Sequence, residues 1–426
     1  MVGSGIITNS GPILQNTQSY PALFFLWTLG GICAAIGAMA LAEMATGIPR
    51  SGGDYVFVRE AFGPAVGFVY GWAMLALGFA APIALVAYTS VQYLAVPLGF
   101  ADAPRLIQWG ATLLITGFTL SHSLSYRKSA AVQGLTTSFK LGVLLLFAVS
   151  GFLGEGSFSH LGSSVPLPNV SFPKLSSGFI LVLYAYTGWN AAAYLAGEMK
   201  NPSKHLPWCL VGGTLSVTLL YLLINLFYCW AFSTTQVASL TEGELSRLGE
   251  LAVAKLLGKP AANWFSLLVS GSVVASLSAY VLTGPRIAFA MAKDGLFPSI
   301  AAKRHPKSQI PIIATCFQGL LAVAFLWSGT FEEVLTFASY GLTFLGMLVT
   351  APLFVLRKRV TFQPTYRMPG YPYLPIFFLV ASSSTLIGGA IEDPTTAIAS
   401  LGSILLGLPL YYAFQKWVLP DPSPEK

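Results

Sequence analysis

The sequence predicts an all-α polytopic membrane protein with twelve membrane-spanning helices, the first of them truncated. Three observations carry that expectation. Hydrophobic residues make up 54% of the 426-residue chain and charged residues only 9%, against about a quarter charged in ordinary soluble domains. Mean hydropathy is +0.68. Apolar runs of about 20 residues, enough to cross ~30 Å of hydrocarbon, recur along the chain. Such runs must be helical, because hydrocarbon offers the backbone no hydrogen-bond partners. The same numbers exclude a soluble globular enzyme, a low-complexity chain, collagen and a disulfide scaffold.

In order, the spans cover 3–15, 21–46, 65–96, 105–125, 130–153, 176–196, 207–232, 263–292, 311–328, 331–356, 372–390 and 395–417. The first holds at most ~15 residues, roughly 22 Å of helix at 1.5 Å per residue, so it is expected to be a half-helix or the remainder of a longer one. Short polar or Pro/Gly-rich loops separate the others, with no inserted soluble domain. Between the seventh and eighth spans, Leu245 to Leu256 has helical spacing of Leu and Ala and is expected to lid the outer surface. Residues 418–426 form a tail. No basic leader precedes the apolar start, so no cleavable signal peptide is expected.

Lys and Arg set the orientation. With the start of the first span placed on the cytoplasmic side, 18 of them fall on cytoplasmic ends, among them Arg50, Arg59, Lys200, Arg286, Lys303, Arg304, Arg357, Lys358 and Arg359. The opposite side holds five: Arg105, Lys174, Arg247, Lys255 and Lys259. The bias supports twelve spans, with both termini cytoplasmic in a plasma or inner membrane. The net charge of +7 is scattered over loops, which is no nucleic-acid signal. Cys33, Cys209, Cys229 and Cys316 lie in or at the ends of apolar spans, where a thiol acts as a small hydrophobe. Asn169-Val170-Ser171 fits a glycosylation acceptor, a triplet that also arises often by chance.

Two spans break helix rules in the same way. The first contains Gly3-Ser4-Gly5 and the sixth contains Tyr184-Ala185-Tyr186-Thr187-Gly188-Trp189-Asn190. Glycine is a poor helix former, and Ser, Thr and Asn compete for backbone hydrogen bonds. Small-residue packing seams between helices account for either break alone. Together they stand five helices apart, at corresponding positions of two five-helix halves, which points to inverted repeats with a substrate site at the break. Unwound N–H groups can hold a carboxylate and unwound carbonyls an ammonium. An α-amino acid presents both.

These residues carry a resemblance. Gly3-Ser4-Gly5-Ile6 resembles the unwound glycine motif of helix 1 in amino-acid permeases of the APC (amino acid–polyamine–organocation) superfamily. Ala42-Glu43-Met44, then Ile48 to Phe57 and Ala61-Phe62-Gly63, is similar to the loop between helices 2 and 3 of that group. Tyr184 to Asn190, continuing through Glu198 to Pro202 and Leu206-Pro207, resembles helix 6 and its exit. Gly284-Pro285-Arg286 with Met291 to Pro298 resembles the end of helix 8, and Arg367 to Pro372 the beginning of helix 11. The resemblance runs from residue 3 to about 375.

It implies a LeuT-type fold. Residues 1–153 would be the first repeat, 176–356 the inverted second repeat and 372–417 two added helices. It implies a substrate carboxylate on the N–H groups of Ser4, Gly5 and Ile6, next to Gly3, and an ammonium on carbonyls of Tyr184, Ala185 and Thr187, with Tyr186 and Gly188 in the same break. Tyr184 takes the place of an aromatic gate, and Trp189 is either a second gate or a wedge for the second half of helix 6. Members of the group carry a half-helix before the glycine motif. This sequence begins two residues before it, and a truncated start is the expectation.

Intramembrane charge is a further signal. Lys140 lies about ten residues, or ~15 Å, past Ala130 at the start of the fifth span. A Lys at that depth is functional by default. The resemblance implies that it stands in for the sodium ion of sodium-coupled relatives, tethering helix 1 to helix 8 through Ser276 or Ser278. It could also carry a proton, and sodium coupling is correspondingly disfavoured. Glu43, Glu198 and Arg286 sit at cytoplasmic ends, and Glu43 reads as an inner-surface ion pair or cap. Lys303-Arg304-His305-Pro306-Lys307 reads as a positive-inside loop.

The expected function is secondary active transport of amino acids by alternating access, proton-coupled or by exchange. No span holds two carboxylates and the four His residues lie at or near loops, so catalytic and metal-binding residues are expected to be absent, and no cofactor is expected. An asymmetric chain does not match the ring symmetry of a channel. No Asp or Glu is expected at mid-membrane, which favours neutral amino acids. A cationic amino-acid or polyamine permease, or a non-transporting amino-acid receptor, is the alternative. The expected partners are an amino acid and the lipid bilayer. A disulfide-linked auxiliary subunit is not expected, because 97–104 holds no Cys.

Overall fold

The computed structural model describes residues 3–48, 50, 52–124, 129–190, 202–305 and 310–417. Among them every regular element is helical and no strand occurs. The first span is α1 (Gly5–Thr8) and α2 (Ser10–Thr17), and the second is α3 (Tyr20–Gly47). A short helix, α4 (Asp54–Phe62), precedes α5 (Pro64–Ala73), which runs through a π-helical stretch at Met74–Ala80 into α6 (Ala81–Leu98). Then come α7 (Pro104–Leu124), α8 (Ser129–Ser150), the short α9 (Ser159–Gly162) and α10 (Phe172–Ala185). After α11 (Pro202–Pro207) a second π-helical stretch, Trp208–Gly212, leads into α12 (Gly213–Ala231).

Three short helices follow: α13 (Thr234–Ala238), α14 (Glu242–Leu245) and α15 (Leu248–Leu257). The chain returns through α16 (Lys259–Thr283) and α17 (Pro285–Lys293), then α18 (Ile312–Ser328), α19 (Phe331–Thr350) and α20 (Pro352–Leu356). It closes with α21 (Tyr373–Glu392), α22 (Pro394–Leu405) and α23 (Gly407–Trp417). Among the described residues seven helices are long and apolar enough to cross a membrane: Tyr20–Gly47, Pro64–Leu98, His205–Ala231, Lys259–Lys293, Phe331–Leu356, Tyr373–Glu392 and Pro394–Lys416. Shorter apolar helices cover Ser138–Leu153, Phe172–Ala185 and Ile312–Ser328. The architecture is that of an all-helical polytopic membrane protein.

Local chemistry sets the helix ends. The Ser19 hydroxyl accepts from Ala22 N–H (3.1 Å) and Pro21 fills the first turn of α3. Thr330 and Glu333 form a reciprocal capping box that starts α19. α6 stops at Gly99, whose φ of +77° suits glycine and few other residues.

α6 lies along α16, α10 along α21 and α3 along α12. Small residues permit these approaches: Gly31 of α3 sits against Thr218 of α12. Trp27, Tyr186 and Tyr221 fill the centre, with Trp27–Tyr221 and Tyr186–Tyr221 ring centroids both 5.1 Å apart. Large apolar side chains such as Leu113 and Ile398 (both 73% exposed) face outward, where hydrocarbon replaces water as solvent.

Arg50, Arg59, Arg357 and Arg359 mark one end of the bundle, the basic end. Here Glu43, fully buried, takes a forked ion pair from Arg357 and a hydrogen bond from the Met368 N–H (2.8 Å). The expected ion pair thus forms, in the interior rather than on the surface. At the other end, α13 to α15 fold back over the helices. Arg247 donates to Asp102 (2.7 Å), Gln92 to Ser246 (3.1 Å) and Gln15 to the Leu240 carbonyl (3.2 Å). The helix expected from Leu245 to Leu256 is observed as Leu248–Leu257.

Candidate functional site

The start of the first span meets the break in the sixth. α10 stops at Ala185, residues 186–190 form a turn, and Gly188 has a φ of +91°. That conformation is routine for glycine and strained for other residues, which is why the sixth span opens here. Gly5 opens α1 directly against this point: a Cβ on Gly5 would stand 2.7 Å from Ala185 Cα. Asn9 donates to the Leu181 carbonyl (2.7 Å) and Ser10 to Asn225 (2.8 Å), so the first span is tied to α10 and α12.

Beside the break lies a cavity of about 800 Å³. Its wall combines Gly3, Thr187, Gly188, Trp189 and Asn190 with Lys140 of α8 and Ser276 and Tyr280 of α16. The π-helical stretch adds Met74, Gly78 and Phe79, and α12 and α19 add an apolar side. π-helical turns recur at functional sites because the extra residue re-aims side chains. Phe79 and Tyr280 meet edge-on at 6.1 Å.

Lys140 is 6% exposed and its Nζ donates to the Ser276 hydroxyl. Of the two serines expected to meet it, only Ser276 does. Ser278 is corrected: its hydroxyl pairs with His122 Nε2 of α7 at 2.9 Å. Two residues apart on a helix means about 200° of rotation, so one of the pair must face away.

The other sequence-derived residues divide. Gly3, Thr187, Gly188 and Trp189 reach the cavity wall; Ser4, Gly5, Ile6, Ala185 and Tyr186 lie behind it, buried. Tyr184 is buried among Ala81, Leu85, Val334, Leu335 and Ala338, between the break and the end opposite the basic one. Tyr186 donates to the Trp27 carbonyl (2.9 Å) and fills the core. The Tyr184 carbonyl accepts from Thr187 N–H (2.9 Å) and Oγ1 (2.7 Å), and the Ala185 carbonyl from the Tyr221 hydroxyl (3.1 Å). Both carbonyls expected for an ammonium therefore already have protein donors, and the two on the Tyr184 oxygen engage both of its lone pairs. Glu198, within the same motif, lies outside the described residues.

Sequence reasoning missed Asp54. The sequence reads it as part of a loop and predicts no carboxylate at mid-membrane. The structure puts its carboxylate on the cavity wall, 1% exposed, accepting from the Tyr70 hydroxyl (3.0 Å) and from Asn190 Nδ2. The available signal was Gly52-Gly53 before it: φ values of +135° and +58° turn the chain sharply into α4 and aim its first residue inward.

Comparison with known proteins agrees with this geometry. The model of a family described as "Amino acid permease" matches residues 1–406. The chain is 29% identical to the serine/threonine exchanger SteT of Bacillus subtilis (strain 168) over 427 residues, covering 98% of this chain and 94% of the relative. It is 26% identical to the b(0,+)-type amino acid transporter 1 of Homo sapiens, with 97% and 85% covered, and 28% identical to the Asc-type amino acid transporter 1 of Mus musculus, with 98% and 79% covered. With a helix break beside a buried lysine and a family match over nearly its whole length, the chain belongs to the amino acid permease family and is an integral membrane transporter rather than an enzyme.

Proposed function

We propose that the protein is a secondary active transporter that moves neutral amino acids by alternating access. One observation carries this reading: Gly5 meets Ala185, so the start of α1 and the break after α10 lie beside a single cavity that also holds Lys140 and Ser276. The substrate carboxylate takes the N–H groups of Ser4, Gly5 and Ile6. Its ammonium takes the carbonyls at Tyr184, Ala185 and Thr187, displacing the Thr187 hydroxyl from the Tyr184 oxygen. Tyr184 closes over the substrate and Trp189 steadies the segment after the hinge.

Lys140, through Ser276, stands where a coupling cation would bridge helices. Transport then needs no sodium and runs by exchange or by proton coupling. A second cation beside Lys140 is electrostatically disfavoured, and Asp54 is engaged by Tyr70 and Asn190, so a neutral side chain fits best. The relative named as a serine/threonine exchanger supports that choice.

The fold that goes with this function has twelve spans, with 1–153 and 176–356 as inverted repeats and 372–417 added. The basic end is cytoplasmic, with both termini there. The protein works without a disulfide-linked subunit. The test is a competition panel in proteoliposomes, with and without sodium and proton gradients. Neutral amino acids are expected to compete and arginine and putrescine not to; arginine as the best competitor, or uptake driven by sodium, overturns the reading.

A further inference from the structure

We infer that Asp54 is a positioning residue that latches the segment beyond the Gly188 hinge in the outward-closed state. This rests on the alternating-access reading above and names a residue that controls it.

The segment after the hinge is gripped on two sides. Trp189 lies on α3, where a Cβ on Gly37 would stand 2.9 Å from its ring. Asn190, two residues past the hinge, donates to the Asp54 carboxylate. Asp54 is itself fixed. It opens α4, its carboxylate also accepts from the Tyr70 hydroxyl on α5 (3.0 Å), and it is almost wholly buried.

The next residues of α4 reach the other way. The Tyr55 hydroxyl donates to Asp294 (2.9 Å) and Arg59 pairs with Asp294 (3.2 Å), just past α17. α4 therefore joins the hinge segment to the basic end of the α16–α17 span. That span also carries Ser276, the partner of Lys140. A rotation about Gly188 must pull Asn190 from Asp54, whereas Tyr70 and Asp294 can stay in place.

The state of the molecule gives the latch its sign. The half of the bundle opposite the basic end is closed, with Tyr184 buried and α14 and α15 strapped down by Arg247. The Asp54–Asn190 contact thus belongs to the outward-closed state. A contact made in one state alone shifts the population by its own strength. A hydrogen bond to a buried carboxylate is among the stronger ones.

The test uses the full chain in oriented proteoliposomes, with Ser216→Cys on the cavity wall as a reporter and Cys209→Ser and Cys316→Ser removing the exposed native thiols. A membrane-impermeant maleimide is applied from either side, and KM is measured from each side. In this background, labelling must depend on the side of addition. Equal labelling from both sides rejects alternating access itself and the latch with it.

Given side-dependent labelling, Asp54→Asn and Asn190→Ala are each expected to slow labelling from the cytoplasmic side about fivefold. They should also raise the inside-to-outside KM ratio in the same sense, and the double variant should do little more than either alone. Asn190→Ala answers the question if Asp54→Asn fails to fold. Unchanged labelling and KM ratio with only a lower maximal rate, faster cytoplasmic labelling, or additive effects in the double variant would each overturn the assignment.

Discussion

Glu43 and Arg357 meet through two parallel hydrogen bonds, Nε to Oε1 at 2.7 Å and Nη2 to Oε2 at 2.6 Å, at a point where the Glu43 side chain has no solvent exposure. The pair joins α3 to the end of α20 and, through the Met368 N–H, to the stretch leading into α21. A fork of this geometry is specific to Arg and carboxylate.

Arg357→Ala is therefore expected to strand a buried carboxylate and cost about 3–5 kcal/mol. Arg357→Lys, which keeps the charge but loses the fork, should recover only part. Thermal unfolding in detergent measures both. An unchanged melting temperature for Arg357→Ala would show that the carboxylate finds another partner.

Lys140→Ala is expected to reduce both transport and thermal stability. On the milder insertion scale a lysine at the membrane centre costs roughly 2.5–3.5 kcal/mol. A lysine that was only tolerated would leave a more stable and fully active protein when removed. One that joins α8 to α16 through Ser276 leaves them untethered. Uptake and melting temperature of Lys140→Ala against the parent, with sodium or a proton gradient imposed, separate the two.

Gly188→Leu should abolish uptake while leaving an inserted, folded protein. The φ of +91° is strained for leucine by roughly 1–3 kcal/mol. That is enough to close the break and too little to unfold a bundle of this size. Normal uptake by Gly188→Leu removes the case for a hinge at this position.

The helix α14 should loosen on acidification. The Thr241 N–H and hydroxyl both donate to Glu244 at 2.9 Å, and these bonds hold its carboxyl below the ordinary Glu range. A group with a lowered folded-state pKa stabilises above its unfolded value, about 4.3, and that contribution is lost as pH falls through the folded value. Amide exchange at Glu242–Leu245 is expected to speed up between about pH 6 and about pH 3.5, beyond the intrinsic change. Glu244→Gln, which cannot titrate, should remove the difference, and a flat profile in the parent would reject the cap.

The amino-acid sequence was sufficient for everything that depends on neighbours along the chain. Apolar runs located the helices, because hydrocarbon and backbone hydrogen bonding leave no other choice. The glycine and polar cluster at Tyr184–Asn190 located the break in the sixth span, because backbone freedom is a local property. The depth of Lys140 followed from a count of residues along one helix.

Tertiary structure alone decided which groups meet. It chose Ser276 over Ser278 as the Lys140 partner and gave Ser278 to His122, because that depends on how α16 is rotated about its axis. It turned Tyr186 into the core, supplied the Tyr184 and Ala185 carbonyls with donors, and brought Asp54 to Asn190, 136 residues away in sequence. Hydropathy records that a helix is buried. It does not record which neighbour each face meets, since that is set by crossing angles and by close approaches such as Gly5 on Ala185, made between segments far apart in the chain.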